Sequence, residues 1–336
     1  PAVGHIKIFF NLLILFIVKY VIYYIIIKMK ISIIIPVYNS NSLSKNVVEG
    51  LEKVFIDLKY DYEIILVEDG SDDNSWNNIK LVAEKNSKIV AIKFLKNYGQ
   101  HNAVICGFRF ATGDYCITMD DDLQNPPEEI IKLIDHAIKN ESDLVFGEYI
   151  KKHTSFIRNI GSKLVGYVVK KIFNTKKSLI NSNFRLIRKD VVKRIIEYKV
   201  GEPYINGLAL IYSKNPTNVL VKHLPRHDGT SSYTISKIFS LLSAILFNYS
   251  SLPLRFVTFV GMIFSLIGFV MGFYFLIDKF INQGTYSGWA SLFVMLSFFS
   301  GINLLILGIL GEYIIKIVNQ TKMTEQYIID EKINTP

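Results

Sequence analysis

Three consecutive aspartates, Asp120, Asp121 and Asp122, directly follow a short apolar run, and Gln124 lies two residues further on. Adjacent carboxylates repel one another, so a bound cation would stabilise such a loop. Carboxylates one residue apart on an extended chain point the same way, and Mg²⁺ is usually held by one or two carboxylates together with substrate phosphates. The loop therefore indicates a divalent-metal site for a phosphorylated substrate, with a plain solvated turn as the alternative.

Short apolar runs alternate with helix-like runs through residues 31–150. Strands are predicted over 31–37, 63–68, 89–95, 114–119 and 143–147, with helices between them. This alternation predicts an α/β domain with a parallel, Rossmann-like sheet, in which ligands bind beyond the carboxyl ends of the strands. The polar residues predicted to gather at those ends are Tyr38, Asn39, Asp69, Ser71, Asn97 and the three aspartates. This position, beside a second acidic loop at 68–71, favours the metal site over the solvated turn.

The chain also contains two long uncharged segments. It has 336 residues, half of them hydrophobic, and a net charge of +9; its mean hydropathy is +0.29. Segments 256–277 and 284–311 carry no charge and are each long enough to cross a bilayer. They predict a membrane hairpin. Arg255, Lys316 and Lys322 flank it, which predicts that both of its ends and the preceding domain face the cytoplasm. Two buried core helices are the alternative.

Three other apolar segments are less regular. Residues 6–27 are interrupted by Lys7 and Lys19 and precede Met29, a natural start for the domain. They are either a third span or extraneous upstream sequence, and no small-residue cleavage site marks a signal peptide. Segments 155–173 and 234–249 mix apolar and basic residues at helical spacing, which predicts amphipathic helices at the membrane interface or against a soluble core.

Several function classes are not supported by the motifs. The two cysteines cannot form a disulfide framework, and there is no Walker, GxGxxG or HExxH motif. Aromatic residues fall mostly in apolar segments, without the basic interleaving of a nucleic-acid surface. The positive charge therefore fits a membrane face and phosphorylated ligands, and no nucleic-acid partner is expected.

Four blocks together resemble one enzyme family. The runs IIIPVYN, VEDGSDDNS, KNYGQHNAVICGFRFATGDY and MDDDLQNPPEEI resemble glycosyltransferase family 2, and within it the polyprenyl-phosphate glycosyltransferases. NFRLIR at 183–188, RHDGTSSY at 226–233 and the PLR entry to the hairpin extend the resemblance to about residue 320. It implies a GT-A nucleotide-sugar-binding domain with juxtamembrane amphipathic helices and a C-terminal transmembrane hairpin.

The resemblance also implies residue roles. The nucleotide-sugar donor would be bound by Pro36, Tyr38, Asn39, Asp69, Ser71, Asn97, Asp120, Asp121 and Gln124. Asp69 would contact the base, Asn97 and Asp120 the base or ribose, and Asp121 and Gln124 the sugar. Asp122 and Asp120 would hold Mg²⁺ or Mn²⁺ on the diphosphate, which makes the three aspartates the catalytic candidates. The phosphates of donor and lipid would be bound by Asn183, Arg185, Arg226, Ser231 and Ser232.

Three positions depart from the commoner family pattern. Asn183 stands where some relatives carry Asp, and it cannot accept a proton. Glu68 replaces the first Asp of the DDGS loop, and Lys96 replaces an Arg that often precedes the Asn-Tyr-Gly triplet. Both keep their charge, although Lys cannot reproduce a bidentate Arg contact. We interpret all three as variation among active enzymes.

The resemblance implies an inverting transferase that moves a hexose-type sugar, with UDP as the favoured nucleotide, to undecaprenyl phosphate on the cytoplasmic face of the bacterial inner membrane. The expected parts are an N-terminal extension (1–30), the transferase domain (31–233), an interfacial helix (234–252), the hairpin (253–318) and a cytoplasmic tail (319–336). The lipid bilayer is a partner, and the resemblance allows a homo-oligomer and a downstream flippase. The alternatives are transfer to a glycan or protein hydroxyl, a processive polysaccharide synthase, and a catalytically silent membrane scaffold.

Overall fold

The computed structural model describes residues 29–41, 43–58, 60–149, 166–173, 179–198, 203–225, 242–243, 245–247, 249–282, 288–322 and 326–335. The predicted N-terminal extension and most of both predicted amphipathic helices lie outside these ranges. The chain forms two compact units, one comprising Pro1–Ser232 with Thr324–Pro336 and the other Tyr233–Met323.

The first unit is built on an α/β sheet whose strands carry its apolar runs. Its strands are β1 (Lys30–Val37), β2 (Asp61–Glu68), β3 (Ile89–Phe94), β4 (Tyr115–Thr118), β5 (Leu144–Tyr149), β6 (Arg185–Arg188), β7 (Pro216–Val221) and β8 (Ile329–Ile333). Within the described residues the order is β7-β5-β6-β4-β1-β2-β3-β8. Strands β1 to β4 lie parallel to one another, as predicted, whereas β6 and β8 run antiparallel to their neighbours. The sheet is therefore mixed and mostly parallel.

Helices cover both faces of this sheet and follow the predicted alternation. They are α1 (Leu43–Leu58), α2 (Ser75–Lys85), α3 (Gln100–Phe110), α4 (Ile130–Lys139), α5 (Lys189–Glu197) and α6 (Ile205–Tyr212). A 3₁₀ turn over Pro127–Glu129 precedes α4 and has proline at its start, where the absent N–H removes no intrahelical bond. Ile and Val side chains of β1 and β2 are fully buried between the helical layers, which holds the carboxyl ends of the central strands in a fixed arrangement.

The end of the chain belongs to the same sheet. Sequence analysis treats residues 319–336 as a tail, whereas Ile329–Ile333 forms β8 and pairs antiparallel with β3. Two ion pairs from Lys93 accompany this pairing, to Asp330 at 3.1 Å and to Glu331 at 3.6 Å. Because three consecutive charged residues separate the two isoleucines of the IDEKI run, the strand looks like a polar segment in the sequence.

The second unit contains the two predicted apolar helices, α7 (Leu252–Asn282) and α8 (Trp289–Lys322). Phe264 of α7 contacts Phe298 of α8 with ring centroids 5.7 Å apart. Tyr313 donates from its hydroxyl to the Ser250 carbonyl at 3.2 Å. These two contacts show that the helices pack as an antiparallel hairpin. By length and composition, Leu252–Tyr274 and Phe298–Ile315 are each apolar enough to cross a membrane.

Candidate active site

The predicted site residues lie at the carboxyl ends of four parallel strands. Pro36 lies near the end of β1, with Tyr38 and Asn39 directly after it. Asp69 and Ser71 follow β2, Asn97 follows β3, and the three aspartates follow β4 by one residue. Since β1, β2, β3 and β4 are adjacent and parallel, their loops meet at one edge of the sheet. The structure therefore brings the predicted residues together at this edge, and their roles in binding stay predictions.

Asn39 joins the loops after β1 and β2. It adopts a left-handed conformation with φ 49°, and its backbone N–H donates to the Ser71 hydroxyl at 3.0 Å. Its side-chain oxygen accepts from the Asp72 N–H at 3.1 Å. Tyr38, the residue before Asn39, leaves 48% of its surface exposed. Asn39 and Ser71 thus fix the shape of the edge, while the aromatic side chain of Tyr38 stays partly exposed beside them.

Asp69 fastens the loop after β3. One carboxylate oxygen accepts from the Tyr98 N–H at 2.7 Å, and the other accepts from the Gly99 N–H at 2.9 Å. Burial raises the pKa of Asp69 to about 6, the charge of Glu68 adds to the rise, and the two backbone donors oppose it. The predicted contact of Asp69 with the base stays a prediction, because in this structure its oxygens hold the loop.

Gly70 lets the loops after β2 and β3 approach closely. Its φ is +66°, and a Cβ at this position would lie 2.3 Å from the Lys96 carbonyl carbon and 2.4 Å from the Asn97 nitrogen. No side chain fits in that space, and L-residues disfavour this backbone conformation. Asn97 itself is exposed, so its side chain faces the open side of the edge.

Each aspartate of the acidic loop has a separate polar contact. Gln100 donates through Nε2 to Asp120 at 2.6 Å, and the Gln124 N–H donates to Asp122 at 3.1 Å. Asp121 accepts a hydrogen bond from the Ser40 hydroxyl. These contacts fix the direction of all three carboxylates at the carboxyl end of β4.

Burial and mutual repulsion make two of these aspartates hard to ionise. Burial is the larger cause, and it raises the pKa of Asp120 to about 6, with the charge of Asp122 adding to the rise. The pKa of Asp121 rises to about 7 for the same reason, with Asp120 and Asp122 both contributing. A positive charge at the loop would favour the ionised form of both groups. The electrostatics therefore fit a bound cation.

A divalent cation fits the donor set of this loop. Asp122, Asp120 and the side-chain oxygen of Gln124 are hard oxygen donors of the kind Mg²⁺ and Mn²⁺ prefer. Within the described residues, no three His, Cys, Asp or Glu side chains converge in metal-holding geometry. A cation here would therefore be held by two protein carboxylates and complete its shell with ligand phosphates, as Mg²⁺ commonly does.

A second segment, 222–224, supports the acidic loop. The Leu224 N–H donates to the Gln124 carbonyl at 2.8 Å, and Gln124 Nε2 donates to the Leu224 carbonyl at 3.2 Å. His223 packs on the Tyr149 ring with centroids 4.1 Å apart. Burial raises the pKa of Tyr149 to about 12, with smaller contributions from the charges of Asp120 and Asp122. Tyr149 therefore presents a neutral hydroxyl to this side of the site.

Arg185 supplies a buried positive charge beside the acidic loop. It is 1% exposed, donates from Nη1 to the Asn206 side-chain oxygen, and keeps a buried Nε that has no hydrogen-bond partner among the described residues. Burial lowers its pKa to about 10, against the favourable charge of Asp120. Asn183 hydrogen-bonds Asp120 and lowers the pKa of that carboxyl. The predicted phosphate-binding residues Arg185 and Asn183 thus lie at the carboxylates.

These groups line one small pocket. Its walls include Pro36, Gln100, His101, Asp120, Asn183 and Arg185. Cationic, acidic and amide groups converge there at the ends of β1 and β4, which suits a ligand that combines phosphate with a polyhydroxylated group. The other predicted phosphate-binding residues, Arg226, Ser231 and Ser232, lie outside the described residues.

Sequence reasoning did not identify Gln100, His101 and Ser40 as site residues. His101 lines the pocket, and its ring lies edge-on to that of Tyr204 with centroids 5.9 Å apart. Burial, with the nearby Arg185 charge, lowers the pKa of His101 to about 4, which keeps the imidazole neutral. The signal was available in the sequence: Gln100 and His101 form the first turn of the helix that follows the β3 loop.

Comparison with known proteins agrees with this geometry. Residues 32–196 match Glycosyl transferase family 2. The chain is 31% identical over 307 residues to the undecaprenyl-phosphate 4-deoxy-4-formamido-L-arabinose transferase of Proteus mirabilis, covering 90% of this chain and 94% of that protein. The protein of the same name from Yersinia enterocolitica matches at 31% identity with the same coverage.

A solved structure shows the same fold. The glucosyl-3-phosphoglycerate synthase of Mycobacterium tuberculosis, crystallised with Mn²⁺, UDP and glucosyl-3-phosphoglycerate, superposes with a TM-score of 0.50 at 13% identity. The match covers 65% of this chain and 77% of that one. The sheet, the acidic loop and the near full-length likeness to the Proteus and Yersinia transferases lead to one conclusion: the chain is a glycosyltransferase of family 2, in the group of the polyprenyl-phosphate glycosyltransferases.

Proposed function

We propose that this protein transfers a sugar from a UDP-sugar to undecaprenyl phosphate at the cytoplasmic face of a bacterial inner membrane. The observation that carries the proposal is the juxtaposition in one pocket of Asp120, the first residue of the acidic loop, with the buried guanidinium of Arg185. Such a site matches a nucleotide diphosphate, since the carboxylates suit its metal and the guanidinium suits its phosphate oxygens. The two apolar helices would keep the enzyme at the membrane that contains the acceptor.

The side chains of this site would bind and orient the donor. Tyr38 would stack on the base, and Arg185 would bind phosphate through its Nε, which has no partner in the part of the chain that the structure describes. Asp120 and Asp122 would hold Mg²⁺ or Mn²⁺, which when bound stabilises charge developing on the nucleoside-diphosphate leaving group. His101 stays neutral beside Arg185, so it would offer one donor and one acceptor to the sugar hydroxyls.

The acceptor phosphate needs no strong base. A phosphate monoester has a second pKa near ~6, by analogy with phosphorylated side chains, so it is largely dianionic at neutral pH. One of its oxygens attacks the anomeric carbon, the bond from that carbon to the diphosphate oxygen breaks, and the electron pair leaves with UDP. The single displacement inverts the anomeric centre. Asn183, which cannot accept a proton, hydrogen-bonds Asp120 and is compatible with this chemistry.

The identity of the transferred sugar is the most specific part of the proposal. Sequence analysis predicts a hexose, whereas the transferases named above carry a 4-formamido pentose in their names. The panel of donors should therefore include UDP-glucose, UDP-N-acetylglucosamine, GDP-mannose and UDP-4-deoxy-4-formamido-L-arabinose. The hexose prediction fails if only the formamido pentose is transferred, and the UDP prediction fails if only the GDP-sugar is used.

Transfer can be measured with the purified full chain, Mn²⁺, undecaprenyl phosphate and this panel. We expect a lipid-linked monosaccharide that is lost in Asp122→Ala and retained in the control Asp61→Ala, whose exposed carboxylate lies at the amino end of β2. Full activity of Asp122→Ala would refute the metal role. Transfer to a hydroxyl acceptor, with none to the lipid phosphate, would refute the acceptor.

A further inference from the structure

The last described residues, 326–335, close the edge of the sheet beside the donor-binding loop. We call this segment the C-terminal clamp and residues 95–99 the donor loop. The clamp follows helix α8 in the chain and adds β8 to β3, the strand that leads into the donor loop. Pairing continues past the end of β3, because the Leu95 N–H donates to the Ile328 carbonyl at 3.0 Å. The clamp therefore contacts the first residue of the donor loop.

Tyr327 touches the structure on both sides of the donor loop. Before the loop, its ring stacks on Phe94 with centroids 4.7 Å apart and planes at 17°. After the loop, its hydroxyl accepts from Arg109 of α3 at 3.0 Å, and it hydrogen-bonds the Cys106 thiol. Tyr327 is 5% exposed. One side chain of the clamp thus joins β3 to α3.

The contact extends into the donor loop itself. Phe94 lies edge-on to Tyr98 with centroids 5.6 Å apart, so Tyr327, Phe94 and Tyr98 form a continuous aromatic row. The Tyr98 N–H is one of the two donors to Asp69. The far end of the clamp is held separately, since Asn334 donates through Nδ2 to the Ala83 carbonyl at 2.6 Å. The donor loop is therefore fixed from one side by Asp69 and from the other by Tyr327.

We propose that the C-terminal clamp positions the donor loop, with Tyr327 as the positioning residue. This rests on the proposed function, since the donor loop contains Asn97 and leads into Gln100 and His101 of the pocket. Tyr327 acts through Phe94 and α3 and not by touching the donor. The segment that follows the membrane hairpin thereby determines the shape of the nucleotide site.

Two readouts on the purified full chain test this role. Hydrogen exchange reports the amides of Tyr98 and Gly99, and calorimetry reports the affinity for UDP with Mn²⁺. In Tyr327→Ala we expect faster exchange confined to the donor loop, with β2 amides unchanged. UDP binding should be weaker by about tenfold, because binding must then order a loop that Tyr327 holds in the wild type through its aromatic pair and hydroxyl contacts. The control Lys332→Ala removes an exposed side chain of β8 and should match wild type in both measurements.

Each outcome decides the proposal. Wild-type exchange at Tyr98 and Gly99 in a folded Tyr327→Ala protein, or faster exchange spread evenly over the sheet, would overturn it. If Tyr327→Ala does not fold, Tyr327→Phe replaces it, since this variant keeps the stack on Phe94 and loses only the hydroxyl contacts. It should show a smaller increase in exchange, confined to the donor loop. Wild-type exchange in the donor loop of Tyr327→Phe would overturn the proposal. If the wild-type chain binds no UDP, the proposed donor fails, while hydrogen exchange still decides the role of Tyr327.

Discussion

Replacing Arg185 by methionine should abolish sugar transfer while leaving the ligand-free protein at least as stable as wild type. Arg185 is almost fully buried, and its pKa falls from 12.5 to about 10. A shift of that size means that the fold disfavours the guanidinium charge by about 3 kcal/mol. Methionine removes this penalty and fills much of the same volume with an apolar chain. Methionine also leaves the side-chain oxygen of Asn206 without its donor, which lowers the free energy of unfolding by about 1–3 kcal/mol.

The partner variant should behave in the opposite way. Asn206→Ala leaves the buried Arg185 charge without the acceptor of its Nη1 group, which should destabilise the protein by about 2–3 kcal/mol. The double variant lacks both groups and should be more stable than Asn206→Ala alone. This sign pattern in a double-variant cycle separates a charge held for ligand binding from a charge that stabilises the core.

Urea unfolding of the detergent-solubilised chain measures these differences. Trp76 lies in α2 of the first unit and is 8% exposed, so in a Trp289→Phe background its fluorescence follows that unit. Transfer assays on the same preparations supply the activity. If Arg185→Met is destabilised as much as Asn206→Ala, the buried guanidinium stabilises the fold. Its burial would then not indicate a charge kept for binding phosphate.

Two further predictions concern neighbouring loops. Gly70→Ala should be less stable than Gly99→Ala. Both residues have positive φ, which strains an alanine by about 1–2 kcal/mol, but only a Cβ at Gly70 would meet backbone atoms of Lys96. Equal urea midpoints of the two variants would show that the close approach at Gly70 does not limit the side chain. Asp121→Asn should stabilise the metal-free protein at pH 8. The folded pKa of Asp121 is raised from 3.8 to about 7, so the wild type loses stability as pH rises through this window. The gain should vanish below pH 4, and a gain that is independent of pH would contradict it.

The sequence predicted the first five strands because each is a short apolar run bounded by polar residues. Strands β6 and β8 carry two and three charged residues, respectively, and their identity depends on neighbours distant in the chain. The insertion of β6 between β4 and β5 could not be read from local pattern, because chain order alone does not specify an antiparallel return. Long-range pairing, and not propensity, determines these strands.

The same distinction applies to the site. The rule that ligands bind beyond the carboxyl ends of parallel strands predicted the positions of Asp69 and Asp120. It could not show that Asp69 would hold the donor loop by two backbone bonds. Nor could it show that Arg185 would be bound by Asn206, since residues 185 and 206 are brought together only by tertiary packing. The residue types indicated the chemistry of the site. The fold determined which of these side chains are already hydrogen-bonded to other groups of the protein.

The ligand-free fold disfavours the ionised form of both the acidic and the basic groups of this site. Asp120 and Asp121 are held with raised pKa values, whereas Arg185 is held with a lowered one. A cation alone would favour the carboxylates and disfavour the guanidinium; a diphosphate alone would do the reverse. Only the metal–nucleotide pair improves both, so the two ligands should stabilise the protein together by more than the sum of their separate effects.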